Sequence, residues 1–327
     1  MKTVLVTGGA GFMGSNFVHH LLAQYPDYQV INFDALTYAG NLENLRDLES
    51  NGNYKFIKGD ITDEDAVEQV FKEHSPSVLI NFAAETHVDR SILGPKAFIL
   101  TDVIGTYTLL EACRRHGIDR YVQISTDEVY GSIKEGLFTE ESPFKPNSPY
   151  SASKAGGDHL VRAYYKTYGV PVIRTHSCNV FGPYQYPEKF IPLFSTNLME
   201  DRKVPLYGDG SNIREWIYVD DYCRAVDTIM HKGEIGEIYN IGTGWEKSNL
   251  DVTKAMLDIF EKGDEMIEPV VDRLGHDWRY AVDASKLKGL GWFTSKSFME
   301  RLRETVDWYR TNEEWWKPLK EADKHLN

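Results

Sequence analysis

The chain has 327 residues, 42% of them hydrophobic and 26% charged, with a formal net charge of −13. That length suffices for one large α/β domain and a smaller one with ample core, and the composition is that of an ordinary soluble globular protein. The negative balance excludes a nucleic-acid backbone or an anionic membrane as the main partner, because both need a basic footprint.

The opening run, Thr3 to Thr7, reads as a strand that breaks at Gly8-Gly9, too short for a signal peptide or a membrane span. Gly8-Gly9-Ala10-Gly11-Phe12-Met13-Gly14 follows it directly and opens a helix, predicted over Asn16 to Gln24 from the spacing of Phe17, Val18, Leu21 and Leu22. Glycines there let a backbone turn approach a pyrophosphate at the helix N-terminus, although this spacing by itself is also an ordinary turn. A second strand, Gln29 to Asp34, ends on an acid where a carboxylate accepts from both ribose hydroxyls and repels a 2′-phosphate. Asp34 therefore points to NAD rather than NADP; its plain alternative is a solvated strand end. Asp60, after a third strand at Tyr54 to Lys58, is either an adenine-side contact or structural.

Further strands at Val78 to Ala83, Arg120 to Ser125 and Val172 to Thr175 alternate with amphipathic stretches. This is the pattern of an α/β, Rossmann-type doubly wound parallel sheet. Beyond Thr175 the text turns to Gly182-Pro183, Pro187, Pro192, Pro205 and Gly208-Asp209-Gly210. The expected division is a cofactor domain over 1–178 and a smaller substrate-facing lobe over 179–327. A segment near 215–245 returns to the first domain through a strand at Glu237 to Gly242. The last helix, Ser297 to Asn312, places Phe298, Leu302, Val306 and Tyr309 on one face. Cys113, Cys178 and Cys223 are widely spaced with no Cys-x-x-Cys, so no disulfide framework or metal site is expected, which fits a reducing cytoplasm.

Tyr-x-x-x-Lys occurs three times, as Tyr54 with Lys58, Tyr130 with Lys134, and Tyr150 with Lys154. The first pair lies on a predicted strand, where positions four apart are distant, and the second runs through Gly131. The third enters a helix after Ser148-Pro149, which stacks phenol and ammonium on one face. Bringing a tyrosine from pH ~10 to ~7 needs about 4 kcal/mol of differential stabilisation. A lysine ammonium and a nicotinamide cation nearby supply that in a partly desolvated site. Such a pair deprotonates an alcohol that loses hydride to the dinucleotide. The bland reading is an exposed helical pair.

Long stretches of the text are similar to the extended short-chain dehydrogenase/reductases, and most closely to their dTDP-glucose 4,6-dehydratases. The resemblance runs over essentially the whole chain and rests on Ala83-Ala84-Glu85-Thr86-His87-Val88-Asp89-Arg90-Ser91, Ser125-Thr126-Asp127-Glu128-Val129-Tyr130-Gly131, Gly182-Pro183-Tyr184-Gln185-Tyr186-Pro187-Glu188-Lys189 and Asp272-Arg273-Leu274-Gly275-His276-Asp277. It implies NAD, with Thr37, Ile61, Ala83, Ala84 and Thr101 beside the cofactor in addition to the glycine turn, Asp34 and Asp60. It implies Tyr150 and Lys154 as the oxidising pair, Thr126 at the C4 oxygen, Asp127 as the acid at the C6 oxygen and Glu128 as the base at C5. A nucleotide-sugar epimerase needs no such acid and base. Two neighbouring carboxyls push their pKa values apart, so one stays protonated beside an ionised partner. Adjacent strand side chains point to opposite faces, however, so both reach one sugar only if the backbone turns there.

The resemblance further implies that Thr86, Asn179, Lys189, Phe190, Pro205, Tyr207, Arg214, Asn249 and His276 contact a nucleotide-diphosphate sugar. Lys189 and Arg214, and Arg273 likewise, make chemical sense as phosphate cations; His276 is equally readable as structural. A homodimer packed through helices is implied too. Departures from the family pattern stand at Val180, where a second asparagine is usual, at His176 and Cys178, and at Asp102, where many relatives carry asparagine. Readings left open are the same dehydration on UDP-glucose, a C4 epimerase, and a non-catalytic nucleotide-sugar sensor.

Overall fold

Short aliphatic runs bounded by turns become the strands of a seven-stranded, all-parallel sheet in a computed structural model that describes residues 2–272 and 277–322. These strands are β1 (Thr3–Thr7), β2 (Gln29–Asp34), β3 (Tyr54–Lys58), β4 (Val78–Asn81), β5 (Arg120–Thr126), β6 (Val172–Ser177) and, from far downstream, β10 (Ile238–Ile241). Their order across the sheet is β10-β6-β5-β4-β1-β2-β3. The chain winds outward from β1 in both directions, so a crevice opens beyond the carboxyl ends of β1 and β4, the usual ligand position in such a sheet. β4 stops two residues short of the predicted Ala83: the Phe82 amide still donates to the Thr7 carbonyl at 3.0 Å, and Ala83 passes over the glycine turn. The approach is close: a Cβ on Gly8, whose φ is +69°, would meet Ala83 N at 2.5 Å.

Helices cover both faces. On one side Phe17, Val18 and Leu21 of α1 (Phe12–Gln24) pack with Tyr222, Val226 and Ile229 of α8 (Val219–Lys232) against Val4 and Val6. On the other, α2 (Glu64–His74), α5 (Thr106–His116) and α6 (Pro149–Tyr168) place Phe71, Leu109 and Val161 against Leu5. Alternate residues of β1 thus serve opposite cores, as in a sheet buried on both faces. Removing one such ring, as in Phe17→Ala, costs about 3–5 kcal/mol.

Between β4 and α5 come α3 (Val88–Leu93), α4 (Pro95–Ile99) and a π-helical turn at Leu100–Gly105. The turn-rich second half forms a three-stranded sheet of β7 (Asn179–Phe181), β9 (Ile213–Tyr218) and β11 (Glu246–Ser248), and a two-stranded one of β8 (Val204–Tyr207) and β12 (Ile267–Val270). Around them α7 (Phe190–Met199), α9 (Asn249–Ile259) and α11 (Phe298–Thr311) bury Phe194, Met256, Phe298 and Leu302 with Phe181 and Trp216. Two shorter helices, α10 (Ser285–Gly289) and α12 (Glu313–Ala322), complete the described chain. Cys113, Cys178 and Cys223 are all buried with free thiols, which burial pushes well above their ordinary value. Among the described residues no helix is long and apolar enough to cross a membrane.

Candidate active site

A cavity of about 220 Å³ lies over the carboxyl ends of β1 and β2. Gly8, Gly11, Phe12, Met13, Gly14, Asp34, Thr37, Asp60, Ile61, Ala83, Ala84, Thr101, Tyr150 and Lys154 all line it. No side chain caps α1 at Gly11, so its first-turn amides suit a diphosphate. Gly14 has to be glycine, since a Cβ there would stand 2.2 Å from the Gly8 carbonyl oxygen. The Asp34 carboxylate is fixed by two backbone amides, Ala10 N at 2.9 Å and Leu36 N at 2.8 Å. Burial nevertheless pushes it above the usual carboxylate range. Asp60 Oδ1 accepts from both the Thr62 amide and hydroxyl at 2.8 Å, which accounts for its turn without a ligand.

Ser148 caps α6 reciprocally with Ser151, and Pro149 starts it, so Tyr150 sits in the first turn and Lys154 one turn on. The Lys154 ammonium donates to the Ile124 carbonyl at 3.1 Å. Thr126 lies close enough to Tyr150 to favour its phenolate. Its phenol is not lowered toward neutrality in the protein alone: burial, then the charges of Glu128 and Asp102, push it well above the ordinary tyrosine value. Asp102 is buried on the π-helical turn, with Oδ2 bound by the Ser153 hydroxyl at 2.6 Å and Oδ1 without a hydrogen-bond partner among the described residues. The acids around the phenol leave the site suited to a cation such as a nicotinium ring.

β5 ends at Thr126 and gives way to a 3₁₀ turn at Asp127–Tyr130, so the backbone does turn between the two acids. Thr126 Oγ1 accepts from the Glu128 amide at 3.2 Å and donates to Asp127 Oδ1 at 3.3 Å. Asp127 is 1% exposed, and its Oδ2 has no hydrogen-bond partner among the described residues. Burial, then the charges of Glu128 and Glu215, push its carboxyl well above the usual range. Glu128 is half-buried and reaches a different space, the wall of the second cavity.

That cavity, of about 490 Å³, lies between α3, α7 and the small sheets. Asn179, Lys189, Phe190, Pro205, Tyr207, Arg214 and Asn249 line it together with Glu128, and Lys189 lines both cavities. Thr86 lines the smaller one and binds the Lys189 ammonium at 2.9 Å, whereas Thr126 lines neither cavity. Arg214 differs from a bare phosphate fork: it donates to the carbonyls of Ile213 at 2.7 Å and Asp277 at 3.1 Å and lies 4.5 Å from the Tyr280 ring centroid. Arg273 and His276 lie outside the described residues. Sequence reasoning missed Arg90, Glu188, Asp277 and Tyr280 in the larger cavity and Gln185 in the smaller. Arg90, Gln185, Glu188 and Asp277 stood inside quoted motifs, but what each does is fixed only once its partners are placed.

A family model described as GDP-mannose 4,6 dehydratase matches residues 5–305. The dTDP-glucose 4,6-dehydratase of Xanthomonas campestris pv. campestris is 48% identical over 335 residues, 96% of this chain and 95% of its own. The low-salt glycan biosynthesis protein Agl12 of Haloferax volcanii is 51% identical over 311 residues, 95% of this chain and 99% of its own. A solved structure of dTDP-glucose 4,6-dehydratase from Bacillus anthracis, in complex with NAD, gives a TM-score of 0.92 at 51% identity over 98% of this chain and 100% of that one. With sheet order, cavities and sequence in agreement, the chain belongs to the dTDP-glucose 4,6-dehydratases of the extended short-chain dehydrogenase/reductase family.

Proposed function

We propose that the protein removes water from dTDP-glucose to give dTDP-4-keto-6-deoxyglucose, with NAD as its cofactor. One observation carries the reading: a buried Asp127, whose carboxyl burial and neighbouring acids push well above the usual range, adjoins Glu128 on a turn that also carries Thr126 close to Tyr150. An epimerase has no use for that acid and base. NAD supplies a hydride acceptor at C4 and a hydride donor at C6; Gly11 to Gly14 would hold its diphosphate and Asp34 its ribose.

Tyr150 takes the C4 hydroxyl proton, with Thr126 steadying that oxygen and the Lys154 ammonium favouring the phenolate. The C4 ketone acidifies the C5 hydrogen, Glu128 removes it, and C5 takes a proton back when hydride reaches C6. Asp127, held protonated, gives its proton to the departing C6 hydroxyl. Lys189 and Arg214 offset the charge of the nucleotide diphosphate, while Phe190, Pro205, Tyr207 and Asn249 surround the nucleotide end. A homodimer accompanies this reading. Leu100, Ile104 and Tyr107, on one face of the π-helical turn and α5, are 43%, 43% and 38% exposed and form an apolar stripe suited to a second copy.

The test is to incubate the protein separately with dTDP-glucose and UDP-glucose, without added oxidant, and follow product mass. Loss of one water from dTDP-glucose is expected. Unchanged mass with a new sugar configuration, or binding without turnover, overturns the reading.

A further inference from the structure

The turn that carries Thr126, Asp127 and Glu128 is tied at both ends to one buried pair. On the entry side the Ser125 hydroxyl donates to Asp158 Oδ2 at 2.7 Å. On the exit side the Tyr130 hydroxyl meets His176 Nδ1 at 2.6 Å. His176 Nε2 closes the circuit on the same Asp158 oxygen at 3.0 Å. Asp158 belongs to α6, one turn beyond Lys154, and His176 to β6. The circuit therefore joins the turn to the helix that carries Tyr150 and Lys154.

A count of hydrogens fixes the roles. Asn240 Nδ2 donates to the Phe138 carbonyl at 3.1 Å, which aims its Oδ1 at the Tyr130 hydroxyl, 2.9 Å away. An amide oxygen only accepts, so the single hydroxyl hydrogen of Tyr130 goes to Asn240, and its lone pair faces His176. Nδ1 of His176 is then a donor. Nε2 donates as well, to a carboxylate oxygen that already accepts from Ser125. Burial opposes ionisation of Asp158, yet His176 and Ser125 hold its carboxyl below the usual range.

His176 and Asp158 are both 0% exposed, and neither lines either cavity, so neither touches a ligand. Stability alone does not favour such a pair, since apolar residues of similar volume often serve as well or better. We propose that His176 and Asp158 are a positioning pair that clamps both ends of the acid-bearing turn onto the tyrosine- and lysine-bearing helix, and so sets the reach of Asp127 and Glu128 toward the sugar. This rests on the dehydratase reading above. Its physical sense is that a misplacement of about 1 Å at reacting groups costs on the order of a hundredfold in rate.

Tyr130→Phe removes the exit-side hydroxyl, while a ring can still stack on Phe138, 5.2 Å away between centroids. His176→Gln breaks the centre of the circuit. The measurements are NAD reduction in a single turnover with dTDP-glucose, exchange of the C5 hydrogen with deuterated water, and release of the dehydrated product. Expected is C4 oxidation within about twofold of the parent, with C5 exchange and water loss slowed about ten- to a hundredfold. Equal loss of all three steps, or no loss of any, overturns the proposal. Should His176→Gln fail to fold, Tyr130→Phe decides alone. The parent separates the two readings: a parent inert toward dTDP-glucose overturns the function and the inference with it, whereas an active parent beside an unaffected Tyr130→Phe overturns the inference only.

Discussion

The Arg90 guanidinium lies 3.9 Å from the centroid of the Tyr38 ring, and both side chains bond one carboxylate, Glu188, at 3.0 and 2.7 Å. Three distant segments meet there, the loop after β2, helix α3 and the loop before α7. Glu188 is 9% exposed, so its bonds to Arg90 and Tyr38 are poorly replaced by water. Glu188→Ala is expected to lower stability by about 2 kcal/mol, read as a shift of the urea midpoint at unchanged slope.

Glu128→Gln keeps the shape of the turn and removes the proposed base. Hydride exchange with NAD is expected to continue while water loss falls by about 10²–10⁴. Single-turnover absorbance of the reduced cofactor, followed beside product mass, separates the steps. Elimination at the parent rate would remove Glu128 from the mechanism.

Gln185 is anchored at the wall of the smaller cavity by its amide nitrogen, which donates to the Val180 carbonyl at 2.9 Å, and its Oε1 is buried without a hydrogen-bond partner among the described residues. It stands beside the valine that replaces the family's second asparagine. Gln185→Leu is expected to weaken NAD binding about tenfold, the equivalent of one hydrogen bond of roughly 1.4 kcal/mol. Calorimetric titration of the apoprotein checks this, and an unchanged affinity would assign Gln185 to the loop alone.

Asp227 joins α8 to α1 through His20 at 2.8 Å, Tyr25 at 2.9 Å and, within its own helix, His231 at 2.7 Å. Burial alone would raise its carboxyl, but the hydrogen bonds of His20, His231 and Tyr25 outweigh it and hold the group well below its ordinary 3.8. A depressed carboxyl stabilises the fold fully above that ordinary value and loses its contribution as pH falls toward the folded value. Asp227→Asn is therefore expected to lower stability by about 2 kcal/mol near neutral pH, with the gap to the parent narrowing below about pH 4. Paired unfolding curves at the two pH values measure it. A gap independent of pH would mean that packing, not charge, is what the substitution removes.

β1, β2 and β3 were legible to the residue because aliphatic runs end abruptly at turn formers, and the helix expected over Ser297 to Asn312 was legible from its apolar rhythm, although it is not the last, since α12 follows it. The end of β5 was legible to within one residue, but the 3₁₀ form of the turn at Asp127 was not; what shapes it is the Thr126 hydroxyl accepting from the Glu128 amide and the long-range ties of Ser125 and Tyr130. The π-helical turn that buries Asp102 is equally silent in the text, because its sequence suits an ordinary helix. The titration of Tyr150 escaped the four-residue spacing for a related reason. Spacing reports the lysine, whereas the acids of Glu128 and Asp102 come from other elements and dominate after burial.

The three native thiols are sealed inside the fold, and burial holds each of them in its unreactive form. Maleimides and mild oxidants should leave the folded molecule unlabelled, so a single introduced cysteine would be the one handle for a dye. Leu93, 82% exposed at the rim of the larger cavity, is the natural place for it. A fluorophore there would report sugar entering and leaving in real time, on a background that needs no prior removal of cysteine.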